Sequence, residues 1–322
     1  MVMASIDATA ASPAADRTRA PGRGDPRRRR RRASTGTALL FIAPGFAVFL
    51  ALIVYPMVRA FQMSLYDWSV VAGAASTFTG FDNYVQAFHD PVFWRALVNS
   101  GVYMAFTVPP QIVLGLAAAV LLNDRAPGRA VFRVLFYLPV VTSWVVVSVL
   151  FQYLFADNGL VNWMVTDVAH LTSTPVPWLG GRWTGMVAVS ALGVWKGVGW
   201  SMMIFLAALQ GVPRTLLEAA EVDGANSWQR FRAVTLPTLR PAAIFVTVML
   251  VIGGFNVFTS VLLMTGGGPA DSTQVLLTYM YKQAFTNLDF GYGSAIAVLL
   301  TLLVFALSIV QLRLFRREGG PA

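Results

Sequence analysis

The 322-residue sequence contains no cysteine, only two histidines and few charged residues, which make up 12% of the chain. The absence of cysteine excludes disulfides, cysteine-ligated zinc and thiol nucleophiles, and two histidines cannot supply a histidine-rich metal site. Soluble domains carry roughly 25% charged residues, so these charges are too few to cover the surface of a soluble protein of this length. With 56% hydrophobic residues, the composition predicts that most of the chain lies in lipid.

Motifs for energy conversion and covalent chemistry are missing as well. No G-x-x-x-x-G-K-[ST] phosphate loop occurs, so we expect that the chain does not hydrolyse ATP itself. The sequence also lacks H-E-x-x-H and G-x-S-x-G, the patterns of two large hydrolase classes. We therefore predict a chain that is not an enzyme and that binds neither a metal nor a cofactor.

Six apolar stretches are long enough to cross a bilayer, for which a helix needs about 20 residues. The predicted spans are roughly 38–61, 97–122, 130–156, 184–209, 241–265 and 291–314. None contains Asp or Glu, whereas transport driven by protons or sodium normally leaves such groups inside the membrane. The sequence predicts an all-α, multi-pass membrane protein with six spans. A stand-alone secondary transporter or channel is the alternative, and it is disfavoured.

Basic residues fall mainly on one side of these spans. They concentrate in residues 1–36, in the second-to-third and fourth-to-fifth connections and in the C-terminal tail 316–322, so both termini are predicted to be cytoplasmic. Residues 1–36 include six consecutive arginines at 27–32 and are interpreted as a disordered tail. Nucleic-acid binding is disfavoured because no aromatic residues are interleaved with the arginines. A secretory signal is disfavoured because the following apolar stretch is too long and has no A-x-A site.

The fourth-to-fifth connection, residues 210–240, is too long for a simple turn. Pro213 suits the first position of a helix, and Thr215 and Glu218 have the spacing of a capping box. Gly224 should end this helix. The sequence therefore predicts one short helix in the first half of the connection.

A second short helix should follow at once. Asn226 or Ser227 can cap it, and Pro237 should end it before the fifth span. The resulting elbow could lie on lipid headgroups as an interfacial helix, or it could dock a cytoplasmic protein. Three acidic residues disfavour an anionic lipid surface and so favour the protein partner: Glu218, Glu221 and Asp223.

The same connection resembles the signature loop of permease subunits in binding-protein-dependent ATP-binding-cassette importers. That signature is E-A-A, three residues, G, nine residues and I-x-L-P. Here Glu218-Ala219-Ala220, Gly224 and Leu236-Pro237 match it, with Val234 in place of Ile. Further stretches are similar to the carbohydrate permeases of the maltose and glycerol-3-phosphate type, and the similarity runs from about residue 38 to 315. They are Pro44 and residues 55–56, 78–84, 115–116, 138–139, 195–197, 265–269 and 291–295.

This resemblance implies a type I importer permease formed by residues 37–315 in the bacterial plasma membrane. It implies a second permease subunit, for which a different chain is favoured, two ATP-binding-cassette ATPase subunits and an extracytoplasmic solute-binding protein. ATP and Mg²⁺ would be bound by the ATPase, and the cargo would be an oligosaccharide, sugar or glycerol derivative. The residues implied in coupling to the ATPase are Glu218, Ala219, Ala220, Asp223, Gly224, Leu236 and Pro237.

A neutral sugar inside a membrane pathway needs hydrogen-bonding side chains and aromatic faces. The candidates in the spans are Gln111, Trp195, Lys196, Trp200, Phe255, Asn256 and Phe258. Packing in the core is the competing role of each aromatic residue, whereas Asn256 is expected to be a buried amide that needs partners. Lys196 has no acidic partner in any span. It could donate to backbone carbonyls, face a water-filled cavity or meet an acid on the partner permease, and the last two are favoured.

Overall fold

The computed structural model describes residues 39–69, 75–123 and 128–317, without the side chains of residues 316 and 317. The predicted tail 1–36 and residues 318–322 lie outside the described residues. The chain divides into two compact units, residues 1–56 and 57–322. Helix α1 covers Leu39–Met63, close to the first predicted span. Its residues 39–56, in the first unit, include no buried side chain.

The second unit is helical apart from a short antiparallel pair of strands, β1 (Tyr66–Asp67) and β2 (Thr77–Phe78). Its further helices are α2 (Asp82–His89), α3 (Pro91–Asn123), α4 (Arg129–Val141), α5 (Trp144–Leu154), α6 (Leu160–Trp163), α7 (Arg182–Gln210), α8 (Arg214–Val222), α9 (Ser227–Thr238), α10 (Arg240–Phe255), α11 (Thr259–Met264), α12 (Leu276–Tyr281) and α13 (Phe290–Arg317). The all-α prediction is confirmed.

Four described helices are long and apolar enough to cross a membrane, namely α1, α3, α7 and α13. The count among the described residues rises to six if the bent pairs α4–α5 and α9–α10 each form one span. Each of the six predicted spans therefore has a helical counterpart, although two of them are not single straight helices.

The prediction of one helix over 130–156 is wrong. The chain is extended at Thr142 and Ser143, so α4 and α5 meet at a bend of 96°. Two consecutive extended residues interrupt the hydrogen-bond ladder of the helix, whereas Pro139 lies inside α4 and is tolerated there.

The prediction of one helix over 241–265 is also wrong, because α10 ends at Phe255 and α11 begins at Thr259. The Asn256 side chain ends α10 by donating to the carbonyl oxygen of Ile252 at 2.8 Å. At its other end α10 meets α9 at a bend of 63°.

Helices α3 and α7 pack together along small residues. An ideal Cβ at Gly115 of α3 would lie 2.6 Å from the Cβ of Ser201 on α7 and 3.1 Å from the backbone nitrogen of Met202. Such close approach needs small residues at the crossing. The side chains of Ala119, Met202 and Phe205 fill the core beside it, each with no more than 1% exposed.

A loop at residues 265–275, after α11, is held firmly to this pair of helices. The Asn99 amide of α3 donates to the carbonyl oxygens of Ser272 and Gln274, both at 2.8 Å. Arg182, at the start of α7, donates from Nε to Asn99 Oδ1 at 3.0 Å. Asn99 therefore ties together two helices and the 265–275 loop.

An ion pair secures the same loop to the segment after α12. Lys282 Nζ lies 2.7 and 2.8 Å from the two carboxylate oxygens of Asp271. Burial alone would raise the pKa of Asp271, but the hydrogen bonds from Lys282 and Gln274 outweigh it and hold this pKa below the usual value.

Acid is expected to loosen the 265–275 loop. Because the pKa of folded Asp271 lies below its unfolded value of about 3.9, the ion pair contributes its full stability above that value and loses it as pH falls through the folded pKa. Hydrogen-exchange protection factors of the loop should therefore fall below about pH 4. In Asp271→Asn this part of the pH dependence should vanish. An unchanged acid profile in Asp271→Asn would contradict the assignment.

Candidate functional site

The elbow loop, residues 210–240, is built around one left-handed residue. Helix α8 ends at Val222, and Gly224, two residues later, has a φ of +81°, a conformation that glycine adopts without steric cost. The amide of Ala225 donates to the carbonyl oxygen of Ala220 at 2.9 Å, and the amide of Gly224 to that of Glu221 at 3.0 Å. This pair of bonds is a Schellman motif, and it fixes the direction in which the chain leaves α8.

The second half of the elbow loop begins with an equally defined cap. Asn226 and Gln229 form a reciprocal capping box at the start of α9, with distances of 2.8 and 2.9 Å, as the sequence predicts for Asn226. Arg230 then binds Glu221 of α8 at 2.6 Å. The Schellman motif, the capping box and the ion pair together make the two helices one stiff unit.

This unit presents apolar and acidic side chains to its surroundings. Val222 is 88% exposed and Trp228 is 68% exposed, and the Trp228 ring stacks on Phe231 at 5.6 Å. Glu218 and Asp223 are also exposed, and their side chains make no hydrogen bond or ion pair within the described residues. Such a mixed, rigid surface suits a protein partner better than solvent.

Two local predictions for the elbow loop are wrong. Thr215 and Glu218 form no capping box, because extended Pro213 precedes Arg214 as the helix cap and provides no side-chain hydrogen bond. Pro237 does not end α9, which continues to Thr238. Proline is tolerated at that point because it lies in the first turn of the last helical segment of α9, Leu236–Thr238, which follows a π-helical turn.

A cavity of about 240 Å³ lies between α3, α4, α5, α7 and α10. Gln111, Lys196 and Trp200 line it together, so the structure unites three of the predicted pathway residues. Tyr103, Thr107 and Trp144 complete its polar and aromatic wall. These three are missing from the sequence prediction, although Tyr103, Thr107 and Gln111 recur every four residues along α3, a visible signal for one shared face.

Two polar groups in this cavity have no partner. Gln111 is 7% exposed and Tyr103 is 5% exposed, yet neither the amide nor the hydroxyl forms a side-chain hydrogen bond within the described residues. Gly193 and Gly197 of α7 face them, and a Cβ at either glycine would overlap the Tyr103 hydroxyl or the Gln111 amide. Buried polar groups normally find partners, so these two are candidates for hydrogen bonds with a ligand.

A second cavity of about 350 Å³ adjoins the first at Tyr103, Trp144 and Gly253. The predicted residues Asn256 and Phe258 line it. Asn256 is exposed rather than buried, because it ends α10 instead of lying within a longer helix. The two cavities together hold five of the seven predicted pathway residues.

The remaining two predicted residues lie elsewhere. Phe255 is 4% exposed and packs in the apolar core between α3, α10 and α13. Trp195 lines a separate apolar groove of about 1010 Å³ beside α3, α4 and α7. Trp195 and Trp200 are five positions apart, so an α-helix directs them to different sides.

Lys196 meets one favoured interpretation, a place in a cavity wall, and also the third interpretation, donation to backbone carbonyls. It lines the cavity, but its Nζ donates to the carbonyl oxygens of Pro139 at 2.7 Å and Thr142 at 2.6 Å. The ammonium also lies 4.9 Å from the ring centre of Trp144. Donation to backbone carbonyls, which was not among the two favoured interpretations, is therefore observed together with a place in the cavity wall. As for metals, no group of three His, Cys, Asp or Glu residues within the described ranges could hold an ion.

Both a protein family and individual known proteins are similar to this chain. Residues 111–319 match the sequence profile of the family described as binding-protein-dependent transport system inner membrane component. The lactose transport system permease protein LacF of Rhizobium radiobacter is 34% identical over 276 residues, which are 84% of this chain and 91% of LacF. The arabinooligosaccharides transport system permease protein AraP of Halalkalibacterium halodurans is 37% identical over 283 residues, 85% of this chain and 86% of AraP.

The fold is likewise similar to a solved structure. A chain from a bacterial ABC transporter involved in the import of the acidic polysaccharide alginate superposes with a TM-score of 0.78 at 21% identity, covering 91% of this chain and all of that one. The predicted architecture, a type I importer permease, is therefore confirmed. The family match over residues 111–319 and the similarity to LacF and AraP show that this chain belongs to the binding-protein-dependent transport system inner membrane components and is a permease subunit of an ABC importer.

Proposed function

We propose that this permease forms part of the pathway for a carbohydrate. The observation that carries the proposal is the cavity in which the Gln111 amide and the Tyr103 hydroxyl lack partners and face Trp144 and Trp200. A sugar presents hydroxyl groups along its edge and C–H groups on its faces, so polar groups beside indole rings match its chemistry. The relatives LacF and AraP are named for lactose and arabinooligosaccharides, which supports this cargo class.

The cavity residues divide by their expected roles. Gln111 would exchange hydrogen bonds with sugar hydroxyls, and Trp200 would offer an apolar face. Asn256 and Phe258 would act in the adjoining cavity. Phe255 and Trp195, which face neither cavity, are not proposed to contact the cargo.

The elbow loop is proposed to receive the force of ATP hydrolysis from a separate ATPase subunit that binds ATP and Mg²⁺. The seven residues implied in coupling all lie on this stiff segment between α7 and α10: Glu218, Ala219, Ala220, Asp223, Gly224, Leu236 and Pro237. Because α7 and α10 both line the cavity, a displacement of the elbow loop would reach the cargo site by rigid-body motion.

The full importer is proposed to contain this chain, a second and different permease, two ATPase subunits and an extracytoplasmic solute-binding protein. We place the elbow loop and both termini in the cytoplasm of a bacterium, since the basic residues concentrate there. The 265–275 loop would then face the solute-binding protein.

Purification of the intact complex tests this assignment directly. Its chains should be identified by mass spectrometry, and the solute-binding protein should be screened by calorimetry against neutral and acidic sugars. Proteoliposomes containing the complex should then take up the bound sugar in the presence of ATP. Co-purification of no ATPase, or uptake without ATP, would favour a channel or secondary transporter.

Gln111→Leu is expected to raise the KM of sugar uptake about tenfold, since an unpaired buried sugar hydroxyl costs about 1–3 kcal/mol. Gln152→Leu provides the matched control, because Gln152 lies exposed on α5 and lines neither cavity. Its KM should stay at the wild-type value. Equal KM values for both variants would exclude Gln111 from the cargo site.

A further inference from the structure

The break between α4 and α5 leaves backbone carbonyls without their helical partners. The last four carbonyls of any α-helix lack amide donors, and α4 ends at the two extended residues Thr142 and Ser143. The Thr142 hydroxyl satisfies the Pro139 oxygen in part, donating to it at 2.6 Å. Within the described residues, no local donor reaches the Thr142 carbonyl oxygen.

Lys196 supplies the missing donors from another helix. Its Nζ lies 2.7 Å from the Pro139 oxygen and 2.6 Å from the Thr142 oxygen, with the Val140 oxygen at 3.4 Å. The residue is 4% exposed, and no carboxylate lies near enough to form an ion pair with it within the described ranges. A cation near a helix C-terminus is favourable because the carbonyl dipoles point toward it.

The approach of α4 to α7 depends on a glycine one turn further along. An ideal Cβ at Gly199 would overlap the backbone oxygen of Phe136. Gly199 and Lys196 are three positions apart and so share a face of α7. The glycine lets the backbones meet, and the lysine then reaches the carbonyls where α4 ends.

We propose that Lys196 is a positioning residue of the permeation pathway, whose ammonium caps the broken end of α4 and thereby fixes the bend that places Trp144 beside Gln111 and Trp200. The inference rests on the proposed carbohydrate pathway for its functional consequence. In this inference the positive charge of Lys196 does not bind the cargo, because the short hydrogen bonds of its ammonium go to backbone carbonyls.

Distance measurement between spin labels tests the bend without any cargo. The chain contains no cysteine, so the double variant Phe132→Cys/Tyr153→Cys takes labels at two exposed sites on α4 and α5. In the complete complex with cysteine-free partner subunits, the bend predicts a separation of about 20 Å, against about 30 Å for a straight helix. Lys196→Met and Lys196→Gln should broaden the distribution toward the longer value, whereas Lys196→Arg should keep the wild-type peak.

Uptake kinetics provide the second measurement. The neutral variants should lower the maximal rate about tenfold, the value of roughly one charge-assisted hydrogen bond, with KM changed less than about twofold. Lys196→Arg should restore most of the rate. Gly199→Ala should reproduce the neutral variants, and Gly101→Ala, whose added Cβ would meet nothing within 4 Å, should behave like the wild type.

Each outcome decides the proposal. Assembly of Lys196→Arg together with failed assembly of both neutral variants supports it, since donors are what the arginine retains. A wild-type distance distribution in the neutral variants overturns it, and a raised KM in that case would assign Lys196 to the cargo instead. Failure of Lys196→Arg to assemble also overturns it. The distance between the two labels can be measured even if no sugar is transported. A failure of the proposed carbohydrate transport is therefore distinguished from a failure of the proposed bend.

Discussion

Gly224→Pro is expected to abolish ATP-driven uptake while the chain still inserts into the membrane. Proline holds φ near −65°, whereas residue 224 requires +81°. The substitution also removes the amide that donates to Glu221. Both effects open the Schellman motif, so the elbow loop should no longer move as one unit. We expect uptake per ATP hydrolysed to fall by at least about tenfold, the equivalent of 1–3 kcal/mol of lost conformational preference, in proteoliposomes.

A series at the same position provides the control. Asparagine tolerates the left-handed conformation better than other non-glycine residues, so Gly224→Asn should retain most of the coupling and Gly224→Ala should be intermediate. Backbone geometry therefore predicts that coupling decreases in the order Asn, Ala, Pro at this position. Wild-type coupling in Gly224→Pro would show that a rigid elbow loop is not required.

Variants of two neighbouring glutamates distinguish docking to the ATPase from stiffness of the elbow loop. Glu218 is exposed and has no partner in the described structure, whereas Glu221 pairs with Arg230. Glu221→Ala should therefore cost only the roughly 0.2–1 kcal/mol of an exposed ion pair and leave coupling largely intact. Glu218→Ala should reduce coupling more strongly, because it removes a group available to the ATPase.

Gly115→Ala is expected to cause the largest loss of stability among glycine-to-alanine variants of α3. The new Cβ would lie 2.6 Å from Ser201 Cβ, with the backbone nitrogen of Met202 at 3.1 Å, so α3 and α7 must move apart. Overpacking of this kind costs about 1–3 kcal/mol. Denaturation of the detergent-solubilised complex, followed by tryptophan fluorescence, should show a lower midpoint.

Gly101→Ala on the same helix is the matched variant. No heavy atom lies within 4 Å of its ideal Cβ, and alanine favours the helix by up to about 1 kcal/mol over glycine. Its midpoint should be unchanged or higher. Equal losses in both variants would mean that the effect comes from helix propensity rather than from the α3–α7 crossing.

Long, unbroken apolar stretches were sufficient to place helices α1, α3, α7 and α13 within a few residues. The break at Thr142 and Ser143 was not predictable, because neither residue is a strong helix breaker and the nearby Pro139 lies within α4. What permits the break is the side chain of Lys196, 54 residues away along the chain. Contacts of that kind leave no local pattern in the sequence.

The candidate sites likewise contain some residues that could be predicted from the local sequence and others that could not. Gly224 and Asn226 act locally, so their caps followed from residue type and spacing. Gln111 was identifiable as an amide within an apolar span, but its neighbour Trp144 lies on the far side of the break and could be placed only by the fold. The choice between Trp195 and Trp200 likewise depends on which side of α7 faces the cavity.

Helix α3 carries two features that lie about three turns apart. Asn99 fastens one end of it to the 265–275 loop, and Gln111 lies three turns away in the cavity. Pro109 and Pro110 stand between them, where two absent amide donors weaken the helix. A force applied to the 265–275 loop would therefore reach α3 through Asn99, and the proline pair is the point between the loop and Gln111 at which the helix yields most easily.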